Sequence, residues 1–208
     1  MTHAYHEIAF TPRVLALQTQ LGSRASYARF EEGPVTSDRI GPKEADFIAT
    51  RDSFYIASVS ETGWPYLQHR GGPAGFLRVL DDRTLGYADF SGNRQYLTLA
   101  NTAADDRVSL FLMDYARRAR LKVMGRARVV EPTDKATLAK LTVPGYRARV
   151  ERGIAIEVAA LDWNCPQHIT PRLNEAEYDA AVRPLLDRIA ELEAALAAKG
   201  GTAPAGGT

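Results

Sequence analysis

SFYIASVSETGWPYLQHR, residues 53–70, decides the fold. SFYIASVS alternates and is rich in aromatic and β-branched residues, the period-two pattern of a half-buried strand. ETGWP supplies the turn, and PYLQHR resumes the extended pattern. The stretch is a β-hairpin. FLRVLDDRTLGYADF, residues 76–90, repeats the form with DDR as its turn. RVSLFLMDY and RLKVMGRARVVE add two strands across an arginine-rich connection, and GIAIEVAALDW another, with Ile154, Ile156 and Val158 in strict alternation. About seven strands joined mostly by short turns predict a mainly β chain with flanking helices, an antiparallel barrel or sandwich.

Helices are predicted in the gaps. GPKEADFIATR has Pro42 at its start and Phe47 and Ile48 at helical spacing. NRQYLTLANTAADD reads as a short helix after a glycine turn, and TDKATLAKLTVPGYRARVER as a helix broken at Pro144 and Gly145. Residues 1–42 form a polar N-terminal extension with a short helix near VLALQTQLG; residues 43–172 are the barrel domain. Residues 173–199 form a C-terminal helix, with Asn174 as cap, Glu175 and Glu177 in the first turn, and Pro184 expected to kink or divide it. Residues 200–208 read as a flexible tail.

Composition narrows the function classes. Of 208 residues, 45% are hydrophobic and 25% charged, ordinary values for a globular protein, and the net charge of +1 favours neither nucleic acid nor a membrane surface. The N-terminus lacks a secretory h-region, and no apolar run approaches the roughly 18–20 residues of a membrane span. With a single cysteine, no internal disulfide forms, which suits a cytoplasmic location.

Several stretches carry possible chemistry. In QHRGGPAGFLRV, Gly71 and Gly72 allow close backbone approach, and Arg70 suits a phosphate or carboxylate; a glycine bulge in a barrel strand explains the same residues. In ADFSGNRQYL, Ser91, Asn93 and Arg94 open a helix and make either an anion site or a simple cap. DYARRARLKVMGRARV alternates basic residues, Arg120 among them, with apolar ones, so one strand face is basic and the other apolar. WNCPQHITPR, residues 163–172, offers only Cys165 and His168 as metal ligands, too few for a structural zinc site. Cys165 reads as packed rather than reactive, and His168 and Arg172 as the residues of interest there.

In order, RDSFYIASVSETGWPYLQHRGGPAGFL, TLGYADFSGNRQYLTLANTAADDRVSLFLMDY, RLKVMGRARVV and WNCPQHITPR resemble the pyridoxamine 5′-phosphate oxidase-like family, over about residues 40–172. The resemblance implies an antiparallel split β-barrel, the FMN-binding split barrel, acting as a homodimer with FMN in a cleft between subunits. It places Arg70 on the strand along the flavin, and Ser91 and Arg94 in the element that holds the FMN phosphate. Arg120 stands where the oxidases have a glutamine that reaches FMN from the partner subunit, and Trp163 to Arg172 where a segment closes over the cofactor. His168 is the candidate protic group near such a flavin, and a hydrogen-bonded structural histidine is the alternative reading. HRGGPAGFL replaces the Leu- and Lys-rich substrate motif of true pyridoxamine-phosphate oxidases, and their C-terminal substrate segment is absent. The resemblance therefore implies an FMN-dependent oxidoreductase with a different small-molecule substrate or electron donor. A non-catalytic flavin-binding or sensing protein, or a split barrel that takes haem or F420, is the alternative.

Overall fold

The computed structural model describes residues 2–163 and 165–200; the expected tail falls beyond them from residue 201. The chain divides into two compact units. One contains the residues up to Asp114 together with Arg118–Gln167; the other contains Tyr115–Arg117 and the chain from His168 onward.

The first unit is built on an antiparallel sheet. After β1 (Thr2–His3), α1 (Ala4–Ala9), α2 (Pro12–Gln20), α3 (Arg24–Ala28), β2 (Val35–Thr36) and α4 (Pro42–Ala49) come β3 (Ser53–Val59) and β4 (Pro65–Gly71). They are followed by β5 (Arg78–Val79), β6 (Thr84–Phe90), α5 (Leu97–Ala104), β7 (Arg107–Asp114), β8 (Ala119–Val130), α6 (Lys135–Leu141) and β9 (Val150–Trp163). The sheet order is β4-β3-β7-β8-β9-β6-β5, with every pairing antiparallel; β1 and β2 pair separately and in parallel. Each strand segment read from the sequence is present. FLRVL contributes only two strand residues, because Phe76 and Leu77 turn into the core after Gly75, whose φ is +76°.

Alternation sets the layers. On β3, Phe54, Ile56 and Ser58 point inward and Tyr55 and Val59 outward. The inward rows do not form a flat face. Phe54 of β3 packs on Phe76 at 5.5 Å and edge-on to Tyr87 of β6 at 5.3 Å, though β3 and β6 lie far apart in the strand order. The sheet is therefore rolled around one core, while β4 and β5 remain unpaired with one another among the described residues. That open seam is the split of the barrel.

Two register shifts bend the long strand β9. Opposite β8, Met124 pairs with Ala160 and Gly125 with Val158, leaving Ala159 over; opposite β6, Asp89 pairs with Arg152 and Phe90 with Val150, leaving Glu151 over. Such bulges re-aim side chains and tighten curvature. Gly125 permits the first of them, since a Cβ there would lie 2.5 Å from the Glu157 carbonyl oxygen and 2.8 Å from Ile156 Cγ2.

In the second unit α7 (Glu175–Gly200) is one helix. Asn174 and Glu177 cap it reciprocally: Glu177 N donates to Asn174 Oδ1 at 2.8 Å, and Asn174 N to Glu177 Oε2 at 2.9 Å. Pro184 lies within this helix and does not divide it; its missing N–H leaves the Ala180 carbonyl without its helical donor.

Gly125→Ala should destabilise the first unit by about 2 kcal/mol, because a backbone oxygen cannot yield to the new methyl. Gly92→Ala, where a Cβ meets nothing within 4 Å, should stay within about 0.5 kcal/mol of wild type in the same denaturant titration.

Candidate functional site

At the open seam, β4 and β6 border a cavity of about 410 Å³. On β4 the half-buried row Tyr66, Gln68 and Arg70 faces it; of the exposed alternate row, His69 and Gly71 also reach its lining, and Pro65 and Leu67 do not. Tyr87 and Asp89 come from the core-facing row of β6, and the connection Ser91–Tyr96 forms the rim. Glu151 enters from the β9 bulge.

Asp89 organises the wall. It is buried, and a buried carboxylate requires neutralising partners. Arg70 Nη1 donates to its Oδ1 at 2.8 Å and Arg152 Nη1 to its Oδ2 at 3.4 Å. Arg70 is thereby held at the seam, yet its buried Nε has no hydrogen-bond partner among the described residues, and neither has the Tyr87 hydroxyl. Such orphaned polar atoms in a cavity wall call for a ligand or water. Burial pushes the Tyr87 phenol up to about 12, with the Arg70 guanidinium opposing the shift.

The rim is held in an unusual conformation. Arg94 and Tyr96 both adopt left-handed backbone, with φ of 59° and 56°, a cost that concentrates at functional sites. Arg94 Nε donates to the Tyr96 hydroxyl at 3.0 Å, and the Arg152 guanidinium lies 5.2 Å from the Tyr96 ring centre. Glu151 is held below the ordinary carboxylate range, first by the Ser91 hydroxyl and further by Arg152, Tyr96 and Arg94. An anion at Ser91 and Arg94 must therefore compete with this carboxylate. Behind the rim, α5 is fixed to the hairpin: Thr98 donates to Gln68 Oε1 at 2.7 Å, and Asn101 Nδ2 to Ser58 Oγ at 3.0 Å.

Of the residues singled out from the sequence, Arg70, Gly71, Ser91, Asn93 and Arg94 line this one cavity. Arg120 and Trp163 do not line it. Arg120 projects from the outer row of β8 toward Phe111, 5.0 Å from its ring centre. Trp163 is engaged by α4: its Nε1 donates to Glu44 Oε1 at 2.6 Å, Phe47 meets it edge-on at 4.8 Å, and Lys43 stands 4.3 Å from its ring centre. His168 and Arg172 belong to the second unit, His168 exposed at φ +60° and Arg172 lying 5.2 Å from the Tyr115 ring centre. Cys165 is exposed rather than packed, since it follows the last strand. Asp89, Glu151, Tyr87 and Tyr96 had not been singled out as polar site residues. Only the alternation of β6 hinted at Asp89, which falls in register with the inward Leu85 and Tyr87.

Residues 40–160 match the family described as pyridoxamine 5′-phosphate oxidase. Among solved structures, HupZ of Group A Streptococcus is similar at 16% identity, covering 64% of this chain and 99% of its own, with a TM-score of 0.45. An F420 reductase is similar at 16% identity, covering 59% and 98%, with a TM-score of 0.43. HutZ, the haem storage protein of Vibrio cholerae, is similar at 13% identity, covering 60% and 94%, with a TM-score of 0.41. No curated protein matches the chain. No helix among the described residues is long and apolar enough to cross a membrane.

Tyr87 provides a pH test. The folded state keeps the phenolic proton to about 12, whereas the unfolded chain releases it near 10.0. Stability therefore falls as pH rises between those values. Tyr87→Phe should flatten that fall, measured as the denaturation midpoint at successive pH values.

Proposed function

Because the chain belongs to the pyridoxamine 5′-phosphate oxidase-like family, we propose that it is an oxidoreductase whose cavity at the seam holds FMN. The observation that carries this reading is the convergence of Arg70, Ser91, Asn93 and Arg94, drawn from separate segments, on one cavity. Their donors suit a phosphate or other anion, and the orphaned Nε of Arg70 has a donor to offer. Tyr66, Phe90, Tyr96 and Tyr146 supply aromatic surface for a flat ring system, and the volume is within the roughly 300–1,000 Å³ range of ligand sites.

In this reading the chain's own residues bind and orient. Arg94, Ser91 and Asn93 hold the phosphate, in competition with the Glu151 carboxylate for Ser91 and Arg94. Arg70, fixed by Asp89, presents a positive charge to the ring side of the cavity. Bound FMN would supply hydride or electron transfer between a small-molecule donor and acceptor.

The second copy in this proposal covers the outer row of the hairpin, where Tyr55, Val59, Trp64 and Leu67 are exposed. Exposed apolar side chains grouped on paired strands suit a protein interface. Arg120 lies on the outer row of β8, in the same sheet, which suits a contribution to the partner's cavity rather than to its own.

Arg94→Ala should weaken FMN binding by about ten- to a hundredfold, the loss of a charge-assisted hydrogen bond of roughly 1.5–3 kcal/mol. Quenching of FMN fluorescence on titration measures this, and an unchanged affinity would place the phosphate elsewhere. Leu67→Glu should turn a dimer into a monomer in light scattering; a monomeric wild type would remove the dimer from the proposal.

A further inference from the structure

A second set of ligand atoms lies outside the seam, where the start of the chain meets the end of β9. His3 ends β1 immediately before α1, and His6 follows one turn later. Their imidazoles stack at 4.4 Å with 19° between planes, and Phe10 stacks on His6 at 4.3 Å. Asp162 brings its Oδ1 to 3.8 Å from His3 Nε2, too far for a hydrogen bond. One ligand atom from each of His3, His6 and Asp162 lies within 4.8 Å of the other two.

Aromatic packing alone leaves this arrangement incompletely satisfied. The Nδ1 atoms of both histidines are buried and without a hydrogen-bond partner among the described residues. The other carboxylate oxygen of Asp162 is taken by the Lys122 ammonium, which also lies 4.5 Å from the Tyr5 ring centre. Lys122 thus orients Asp162 from behind, the part that outer partners play for metal-binding carboxylates, and leaves Oδ1 on the histidine side. A cavity of about 290 Å³, lined by His3, Asp162, Ser37, Arg39 and Glu44 among others, reaches the cluster.

We propose that His3, His6 and Asp162 form a binding site for a zinc-class divalent metal ion, with the remaining coordination position facing that cavity. Two imidazoles and one carboxylate are a ligand set that such ions accept. Bonds of about 2.1 Å at a tetrahedral angle place ligand atoms about 3.4 Å apart. The in-plane lone pairs of the stacked rings do not converge as they stand, so the imidazoles must turn about their side-chain torsions to reach that spacing. The ion would tie the first residues of the chain to its last strand.

The test uses the full-length, tag-free chain, stripped with chelator and titrated with Zn²⁺ by calorimetry, with bound zinc counted after desalting. Wild type should bind about one zinc ion per chain. His6→Phe keeps a ring in the stack but removes a ligand, and Asp162→Asn keeps the shape but removes the charge. Each should weaken zinc by at least about tenfold with far-UV dichroism unchanged, and neither should alter FMN titration. Cys165→Ser should retain zinc. No zinc bound by wild type, unchanged affinity in His6→Phe, or loss of zinc only in Cys165→Ser would each overturn the site. Should Asp162→Asn misfold, His6→Phe alone decides.

Discussion

The neutralisation of Asp89 is the constraint on which the rest of the first unit depends. A carboxylate at the inward end of β6 cannot stay buried without cations. Its two guanidiniums come from β4, across the open seam, and from β9, the hydrogen-bonded neighbour. The same ion pairs therefore draw the rolled sheet together where no ladder closes it and place Arg70 beside the cavity. Fold and candidate site share one electrostatic origin.

β9 links the remaining parts. As the longest strand it pairs with both β8 and β6, and each of its bulges has a consequence. The bulge beside Gly125 bends the strand around the core, and the bulge at Glu151 turns a carboxylate onto the rim, against Ser91. At its far end Asp162 and Trp163 meet the N-terminal segment and α4 respectively. Residues 2–36 are consequently part of the same compact unit as the sheet.

Much of the fold was readable from local pattern. Ile154, Ile156 and Val158 alternate because they face the main core, while Ala155 between them packs into a second cluster with Leu141, and ETGWP turns because Gly63 must adopt a φ of +82°. Arg70, Ser91 and Arg94 drew attention as a cation beside a glycine pair and as a cation and hydroxyl after a strand, and the structure brings them to one cavity. Asp89 and Glu151 escaped notice, since their positions depend on pairing across β6 and β9 and on a bulge that no local periodicity announces. Trp163 shows the opposite failure. Its place in a proline-rich segment drew attention to cofactor chemistry, while its actual partner, Glu44, lies 119 residues away in sequence. The grouping of His3 and His6 with Asp162 is equally non-local, and no spacing along the chain announces it.

The central claim is that the cavity at the seam takes a flavin phosphate and ring. The absorption spectrum of the protein as purified, and again after FMN addition and desalting, tests it most directly. The account predicts the two visible bands of a flavin, retained through desalting. A Soret band, a single deazaflavin band in the violet, or a colourless protein that retains no FMN would contradict it.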